Sequence, residues 1–266
     1  MAKSTNPPIT ANDLADFVNT NSDFGFEMKV LTRLQAEGFG CDHAGTYGDP
    51  VTGKIRQFDI RAVKDRSDCR LALAVECKNL RPNNPLLLSS VPRTAAEAFH
   101  DLLVYDPKAN NRTHSIKRVS GSESAYRPGD MVGKRTDQVM RREQSGELVS
   151  NDEATFDKLN QAVSSCQELV RGLSGGGSPQ LRRAIVPVLV VPTGLLWQVD
   201  YDPDGAIAKP PRQVRRTALF LSSSWSVPVG FGDLISYRLS HIEVVTFDAL
   251  VGIAECWLGP EGFFPQ

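Results

Sequence analysis

The sequence has little that would mark a secreted, membrane-spanning or zinc-binding protein. Its five cysteines are scattered without any CxxC pair, which favours reduced thiols over a disulfide framework or a zinc knuckle. No apolar run approaches the ~20 residues that cross a bilayer, and the N-terminal segment lacks the basic-then-apolar order of a secretory signal. These absences predict a cytoplasmic protein without a membrane segment.

Two hydrolase classes and one nucleotide-binding motif are also disfavoured. The four histidines show neither HxxxH nor HExxH spacing, which argues against a zinc hydrolase. The serines at 222–224 lack the Gly-x-Ser-x-Gly frame of a serine hydrolase. The glycines at 175–177 follow a helical pattern and lack the Gly-Lys-Ser/Thr ending of a phosphate-binding loop, so they predict a flexible connector.

Positive charge is concentrated in one segment. The formal net charge of −1 argues against a protein that coats nucleic acid through bulk charge, but residues 107–142 hold nine basic side chains against three acidic ones. A solvated loop and a phosphate-contacting surface are both compatible with this segment. For the second alternative, the predicted nucleic-acid-binding residues are Arg127, Lys134, Arg135, Arg141 and Arg142.

Hydrophobic periodicity predicts one α/β domain over residues 1–266, with a mixed central sheet flanked by helices. The core motifs occupy residues 22–80, a long basic loop covers 105–142, and a helix, strands and a C-terminal helix fill 150–258. The predicted helices lie near 22–38, 94–103, 150–173 and 248–258, and the predicted strands at 55–63, 71–78, 184–191, 195–201, 217–221 and 242–247.

A carboxylate two residues before a lysine occurs three times, and the sequence context separates the three. The Glu-Met-Lys at 27–29 lies in a helical pattern, where two positions correspond to about 200° of rotation. The Asp-Pro-Lys at 106–108 lies in a polar segment typical of a turn. Only Glu76-Cys77-Lys78 ends a strand-like run, LALAVECKNL, in which side chains two apart share a face at about 6.6 Å. We therefore expect Glu76 and Lys78 to act together.

Two further carboxylates are expected to join this pair. Asp59 lies in the preceding strand and can meet Glu76 across a hairpin, while Glu27 lies within the apolar stripe of the first strong helix. Carboxylates and a lysine supply the hard oxygen ligands and the positive charge that metal-assisted phosphodiester hydrolysis needs. The alternatives are an exposed hairpin with an ordinary cross-strand charge cluster and a Glu27 at the exposed edge of its helix.

The motifs resemble those of a known superfamily. Three segments carry the resemblance: Phe26-Glu27 with the Leu34 and Gly38-Phe39 that follow, Phe58-Asp59-Ile60, and Val75-Glu76-Cys77-Lys78. They resemble the motifs of the PD-(D/E)XK nucleases, which have the restriction-endonuclease-like fold, and especially those of the Mrr-like branch. The resemblance covers residues 23–80 well and the later helix and strand loosely. Phe58 stands where a proline precedes the aspartate in many members, and no Gln-x-x-x-Tyr follows the Glu-x-Lys strand, which disfavours the RecB-like exonuclease branch.

The resemblance implies a core of helix, hairpin strands, helix and strand, and a role for each motif residue. It implies that Asp59 and Glu76 bind Mg²⁺, or Mn²⁺ in its place, together with the Cys77 carbonyl oxygen. It further implies that Lys78 orients and activates the attacking water, and that Glu27 holds a metal-bound water or a second ion. The catalytic set is then Glu27, Asp59, Glu76 and Lys78.

Two functions follow as hypotheses. The first is a metal-dependent nuclease, with a DNA endonuclease favoured; the resemblance suggests a role in restriction or antiphage defence, and cutting both strands would favour a homodimer. The second keeps the fold without the chemistry, as a nucleic-acid-binding or assembly subunit of a larger complex. The near-neutral charge and the C-terminal aromatic residues Trp225, Trp257, Phe263 and Phe264, which suit an interface, favour this alternative.

Overall fold

The structure, a computed structural model, describes residues 7–105, 114–175, 182–229 and 236–259. Its helices are α1 (Ala11–Asn21), α2 (Phe24–Ala36), α3 (Glu153–Gly175) and α4 (Ile253–Leu258). Its strands are β1 (Gly40–His43), β2 (Thr46–Gly48), β3 (Ile55–Gln57), β4 (Ile60–Arg66), β5 (Cys69–Cys77), β6 (Leu86–Pro92), β7 (Phe99–Tyr105), β8 (His114–Ser120), β9 (Met131–Arg142), β10 (Leu148–Ser150), β11 (Arg182–Val191), β12 (Leu196–Tyr201), β13 (Ile207–Gln213), β14 (Arg216–Pro228) and β15 (Ser236–Thr246).

In the described residues, thirteen strands form one mixed sheet. Its main order is β1-β4-β5-β11-β15-β14-β9-β6-β12-β13, with β10 paired to β9 and with β7 paired to β11 and β8. Strands β4 and β5 are antiparallel, whereas β11 is parallel to both β5 and β15. Parallel neighbours require a crossover connection, and α3 precedes β11 in the connection from β5. The predicted α/β class with a mixed central sheet is confirmed.

Helices cover both faces of the sheet beside the candidate site. Along β5, Leu71, Leu73 and Val75 pack in one hydrophobic layer with residues of α2 and α4. Ala72 and Ala74 point the other way, into a second layer with residues of α3. Because successive side chains of a strand alternate between faces, a strand covered on both sides is apolar throughout. This explains the near-continuous apolar run of β5.

The predicted hairpin forms, but its first strand is interrupted. Residues 55–63 divide into β3 and β4 at Phe58-Asp59, because the chain changes partners there: β3 pairs with β2, whereas β4 pairs with β1 and β5. At the junction the Phe58 N–H donates to the Gly45 carbonyl at 2.9 Å, and the Ala44 N–H donates to the Asp59 carbonyl at 3.0 Å. Asp59 therefore lies immediately before β4, at the edge of the sheet.

The helix predicted for residues 94–103 is wrong. The chain makes a short 3-10 turn at Ala95–Glu97 and continues as β7, which pairs with β8 and with the start of β11. The neighbouring residues Leu102 and Leu103 lie in opposite hydrophobic layers, as the alternation of a strand requires. The segment forms a strand because it pairs with β8 and the distant β11, although its sequence has helical periodicity.

The long basic loop predicted for residues 105–142 is also wrong where the structure describes it. Residues 114–142 contain β8, a 3-10 turn at Gly121–Glu123 and the twelve-residue β9, which pairs with β6; residues 106–113 lie outside the described part of the chain. Many side chains of β8 and β9 are exposed, so the sequence lacks the apolar alternation that identifies a strand. Pairing with neighbouring strands satisfies their backbone groups instead.

The remaining predicted elements are present, with different buried faces in places. The helix predicted at 150–173 is α3, the later predicted strands correspond to β11, β12, β14 and β15, and a 3-10 turn followed by α4 ends the described chain. Phe24 of α2 and Phe156 of α3, both assigned to apolar stripes, are 56% and 59% exposed. Trp257, predicted for an interface, is a core residue, and Phe263 and Phe264 lie outside the described residues.

Within the described residues, no helix has the length and apolar character needed to cross a membrane.

Candidate metal and phosphodiester site

The hairpin brings Asp59 and Glu76 together at the edge of the sheet. Ile60 pairs with Val75, so the same register sets Asp59 opposite Glu76. The Asp59 N–H lies 3.4 Å from Glu76 Oε1, and the Cys77 N–H donates to Asp59 Oδ2 at 2.7 Å. Both carboxylates are buried, and Glu76 is fully enclosed. The predicted pair of carboxylates therefore exists as a buried cluster.

A lysine that sequence analysis did not select contacts both carboxylates. The Nζ of Lys158, on α3, donates to Asp59 Oδ1 at 2.9 Å and Oδ2 at 2.7 Å, and to Glu76 Oε2 at 3.1 Å. Three carboxylate oxygens thus converge on one ammonium group. Buried charges require such compensation, because an unpaired carboxylate in this environment would be strongly destabilising.

The sequence contains a signal that could have identified Lys158. It lies three residues after Thr155 and four before Ala162, two fully buried positions of α3. Positions three and four apart lie on one face of a helix, so Lys158 belongs to the buried face. A charged residue on that face requires a partner, by the same argument that selected Glu27. The partner itself could not be named without the tertiary structure.

Among the described residues, Lys78 forms no ion pair with Asp59 or Glu76. Strand β5 ends at Cys77, and the Leu80 N–H donates back to the Lys78 carbonyl at 3.0 Å, which closes a tight turn. The Lys78 N–H still donates to the Val190 carbonyl at 2.9 Å, so backbone pairing with β11 continues one residue past the strand. In the described residues, the ion pairs of Asp59 and Glu76 are with Lys158. A catalytic role for Lys78 stays a prediction.

Glu27 lies next to the cluster with a histidine as its neighbour. Its Oε2 is 3.4 Å from Nε2 of His43 on β1, and the His43 ring packs against Phe24 with 5.8 Å between centroids. Burial, followed by repulsion from Asp59, raises the pKa of Glu27 above its usual value. The charges of Asp59 and Lys158 thus act on Glu27, which supports its predicted place in the site. The sequence spacing of the histidines gave no reason to select His43 as a residue of the site.

The charged groups of the cluster shift one another's pKa values. Burial, followed by repulsion from Asp59, raises the pKa of Glu76 to about 8, although Lys158 acts in the opposite direction. Burial lowers the pKa of Lys158, but attraction to Glu76 and Asp59 outweighs this, so its pKa lies above the ordinary value. Lys158 therefore stays charged, while Glu76 exchanges its proton just above neutral pH.

The donor set suits a divalent cation by its chemistry. Oxygen ligands are those that Mg²⁺ prefers, and three carboxylate oxygens already converge on the point where Lys158 Nζ lies. Among the described residues, no three His, Cys, Asp or Glu side chains group closely enough to hold a metal ion. The cluster thus offers two carboxylates, and the predicted Cys77 carbonyl or water would complete the coordination. A metal ion at this point requires that Lys158 move away.

The predicted nucleic-acid-binding side chains lie in and beside β9, and most of them have local acceptors. Lys134 contacts Glu97 at 2.5 Å, Arg135 contacts Asp137 at 2.7 Å, and Arg141 contacts Glu143 at 3.5 Å. Arg142 donates to the Gly146 carbonyl at 2.6 Å, and the exposed Arg127 precedes the strand. Exposed ion pairs of this kind contribute little to stability and exchange readily with other anions. Contact with a phosphate backbone stays a prediction.

Comparisons of the chain with protein-family models, with curated proteins and with solved structures find no match.

Proposed function

We propose that this protein is a metal-dependent nuclease that hydrolyses phosphodiester bonds, with DNA as the favoured substrate. The observation that carries the proposal is the convergence of three oxygens from Asp59 and Glu76 on a single cation position at the edge of the sheet. The succession α2, β4, β5, α3, β11 supports it, because these elements match the core that the resemblance to PD-(D/E)XK nucleases implies, although strands β6–β10 are inserted between β5 and α3. Fold-level likeness alone would not carry a function.

Each residue of the cluster has a role in this proposal. Asp59 and Glu76 would hold Mg²⁺, which supplies positive charge opposite the phosphate and lowers the pKa of an attacking water. Lys158 replaces Lys78 as the amine of the site, because it is in contact with both carboxylates. Its ammonium, once displaced from between them, stabilises negative charge on the phosphate. Glu27 binds water beside the cluster.

A cleavage assay tests the proposal directly. Purified protein is incubated with supercoiled plasmid, linear duplex, single-stranded DNA and RNA, each with Mg²⁺, with Mn²⁺ and with a chelator. We expect DNA cleavage that the chelator abolishes, and nicking or linearisation of the plasmid would identify an endonuclease. Absence of cleavage in every metal-containing reaction would refute the nuclease assignment. The proposed defence role, homodimer and cytoplasmic location are separate proposals that this assay leaves open.

The second candidate is a catalytically inactive subunit that binds nucleic acid or other proteins. The observation that favours it is the same Lys158, because its ammonium already occupies the position between Asp59 and Glu76 without any metal. A permanently bound ammonium would make the cluster a structural ion pair. The two candidates therefore differ in whether a divalent cation can displace Lys158.

Calorimetric titration with Mn²⁺ separates the two candidates. For the enzyme we expect binding by the wild-type protein, loss of binding in Asp59→Asn, and tighter binding in Lys158→Met, because the competing ammonium is gone. For the subunit we expect no binding by the wild type. Asp65→Asn is the matched control, since Asp65 lies on the same hairpin in an exposed pair with Arg70 and should not affect binding.

A further inference from the structure

A cavity of about 290 Å³ lies beside the carboxylate cluster. It is bordered by residues close to those that build the site: Asp23, the residue just before α2, precedes Glu27 by four positions, and Ala154 precedes Lys158 by four on α3. Four helical residues correspond to about 6 Å and to the same helix face. Lys78, two positions after Glu76 in the chain, also borders the cavity. The cavity is therefore about one nucleotide step from the carboxylates.

The cavity walls combine cations with amide side chains. Lys78 and Arg81 supply positive charge, and Asn84 and Gln138 supply amides that are themselves more than nine-tenths buried. Hydrogen bonds fix one end of each amide: Asn84 Nδ2 donates to the Met140 carbonyl at 2.6 Å, and Gln138 Oε1 accepts from the Thr155 hydroxyl at 2.9 Å. In the described residues, Asn84 Oδ1 and Gln138 Nε2 remain for another partner.

We propose that this cavity binds one unpaired nucleotide of the nucleic acid substrate, with its base against Asn84, Gln138 and Met140 and its phosphate against Lys78 and Arg81. A base edge presents donors and acceptors side by side, which one fixed acceptor and one fixed donor complement. The volume lies at the lower limit of small-molecule pockets and suits one unstacked base. Arg141 and Arg142 directly follow Met140 on β9, where they would contact the flanking phosphates.

This inference rests on the proposed function, because it places the cavity next to the bond to be cut. It adds a substrate preference: the protein should favour single strands, or duplexes with an unpaired nucleotide, over fully paired duplex. Lys78, which borders the cavity, then has a binding role.

The test measures binding separately from cleavage. Fluorescence anisotropy in chelator compares three labelled DNAs of one sequence: a single strand, a duplex with one bulged nucleotide, and the fully paired duplex. We expect the wild-type protein to bind the first two about tenfold more tightly than the third, the effect of about 1.4 kcal/mol. Ala154→Trp on α3 and Met140→Trp on β9 each place a large side chain at the cavity and should remove this preference. Ala15→Trp, on the exposed face of α1, is the matched control and should keep it.

The outcomes distinguish the inference from the proposed function. Equal affinity of the wild type for all three DNAs, or no binding to any of them, would refute the inference. An unchanged preference in both cavity-filling variants, with circular dichroism showing that they are folded, would refute it as well. If the preference exists and both variants lose it, but Mg²⁺ supports no cleavage, the cavity assignment stands and the nuclease assignment fails.

Discussion

Replacing Lys158 with methionine is expected to lower the free energy of unfolding by about 3–5 kcal/mol near pH 9, with a smaller loss near pH 6. Methionine keeps the length and the helix propensity of lysine, so the variant removes mainly the charge. Asp59 and Glu76 then lose the ammonium group that contacts three of their oxygens. Removing one partner of a buried ion pair costs far more than removing an exposed one, because the remaining charge stays out of water.

The pH dependence of the stability loss in Lys158→Met follows from the raised pKa of Glu76. Its folded pKa of about 8 lies above the ordinary value, so its contribution to stability is complete below about pH 4.5 and is lost as pH rises through about 8. Without Lys158, which lowers this pKa, Glu76 holds its proton to higher pH. Above about pH 8 the folded variant therefore binds more protons than the folded wild type, and the difference in stability grows by up to about 1.4 kcal/mol per pH unit.

Urea denaturation at the two pH values, followed by circular dichroism, measures this effect. Lys29→Met is the matched control, since Lys29 is exposed on α2 and its replacement should change stability by less than about 0.5 kcal/mol. Equal stability of Lys158→Met and the wild type at both pH values would show that Lys158 does not form the buried ion pair.

Replacing Asp59 with asparagine is expected to reduce Mg²⁺-dependent cleavage at least about 100-fold. Asparagine has the same shape and can still accept the Cys77 N–H that Asp59 binds at 2.7 Å, so the local backbone should be retained. The variant lacks one negative charge and one oxygen of the proposed cation position, and an amide nitrogen is a poor ligand for Mg²⁺. The loss should appear chiefly as a lower kcat with folded protein.

Initial rates of cleavage of the best substrate, at saturating Mg²⁺, provide the measurement. Glu76→Gln should behave like Asp59→Asn, because the two carboxylates share the cation position. Asp65→Asn should retain wild-type rates, since Asp65 lies six residues further along the hairpin, about 20 Å away in an extended strand. Cleavage by Asp59→Asn within twofold of the wild type would exclude the carboxylate cluster as the catalytic site.

Local sequence patterns predicted the elements whose interactions are regular along the chain. The apolar runs of β5 and β11 were sufficient to predict these strands, because a strand buried on both faces is apolar throughout. The amphipathic patterns of α2 and α3 were sufficient to predict these helices, because a helix packed against a sheet has apolar residues at helical spacing. The pattern failed for β7, β8 and β9. There, pairing with other strands satisfies the backbone, in a β7–β8 hairpin and across the gap between β6 and β9, while the side chains follow no simple apolar alternation.

Tertiary structure decided two details of the site. Lys78 follows the last residue of β5 and forms no ion pair with Asp59 or Glu76 in the described residues, although its N–H still donates to the Val190 carbonyl of β11. The choice of Lys158 as partner required α3 to cross the sheet at the hairpin, about eighty residues later in the chain. A contact at such separation depends on packing geometry, which no local spacing encodes.

By itself, the sequence determined that Asp59 and Glu76 would meet, because hairpin register and strand alternation are local and the carboxylates lie within one hairpin. It also placed Glu27 on a buried helix face, where a charge needs a partner. Only the tertiary structure identified the cation between the carboxylates, the His43 beside Glu27 and the cavity next to them. These depend on how separate elements pack, and packing brings together residues whose sequence positions carry no common pattern.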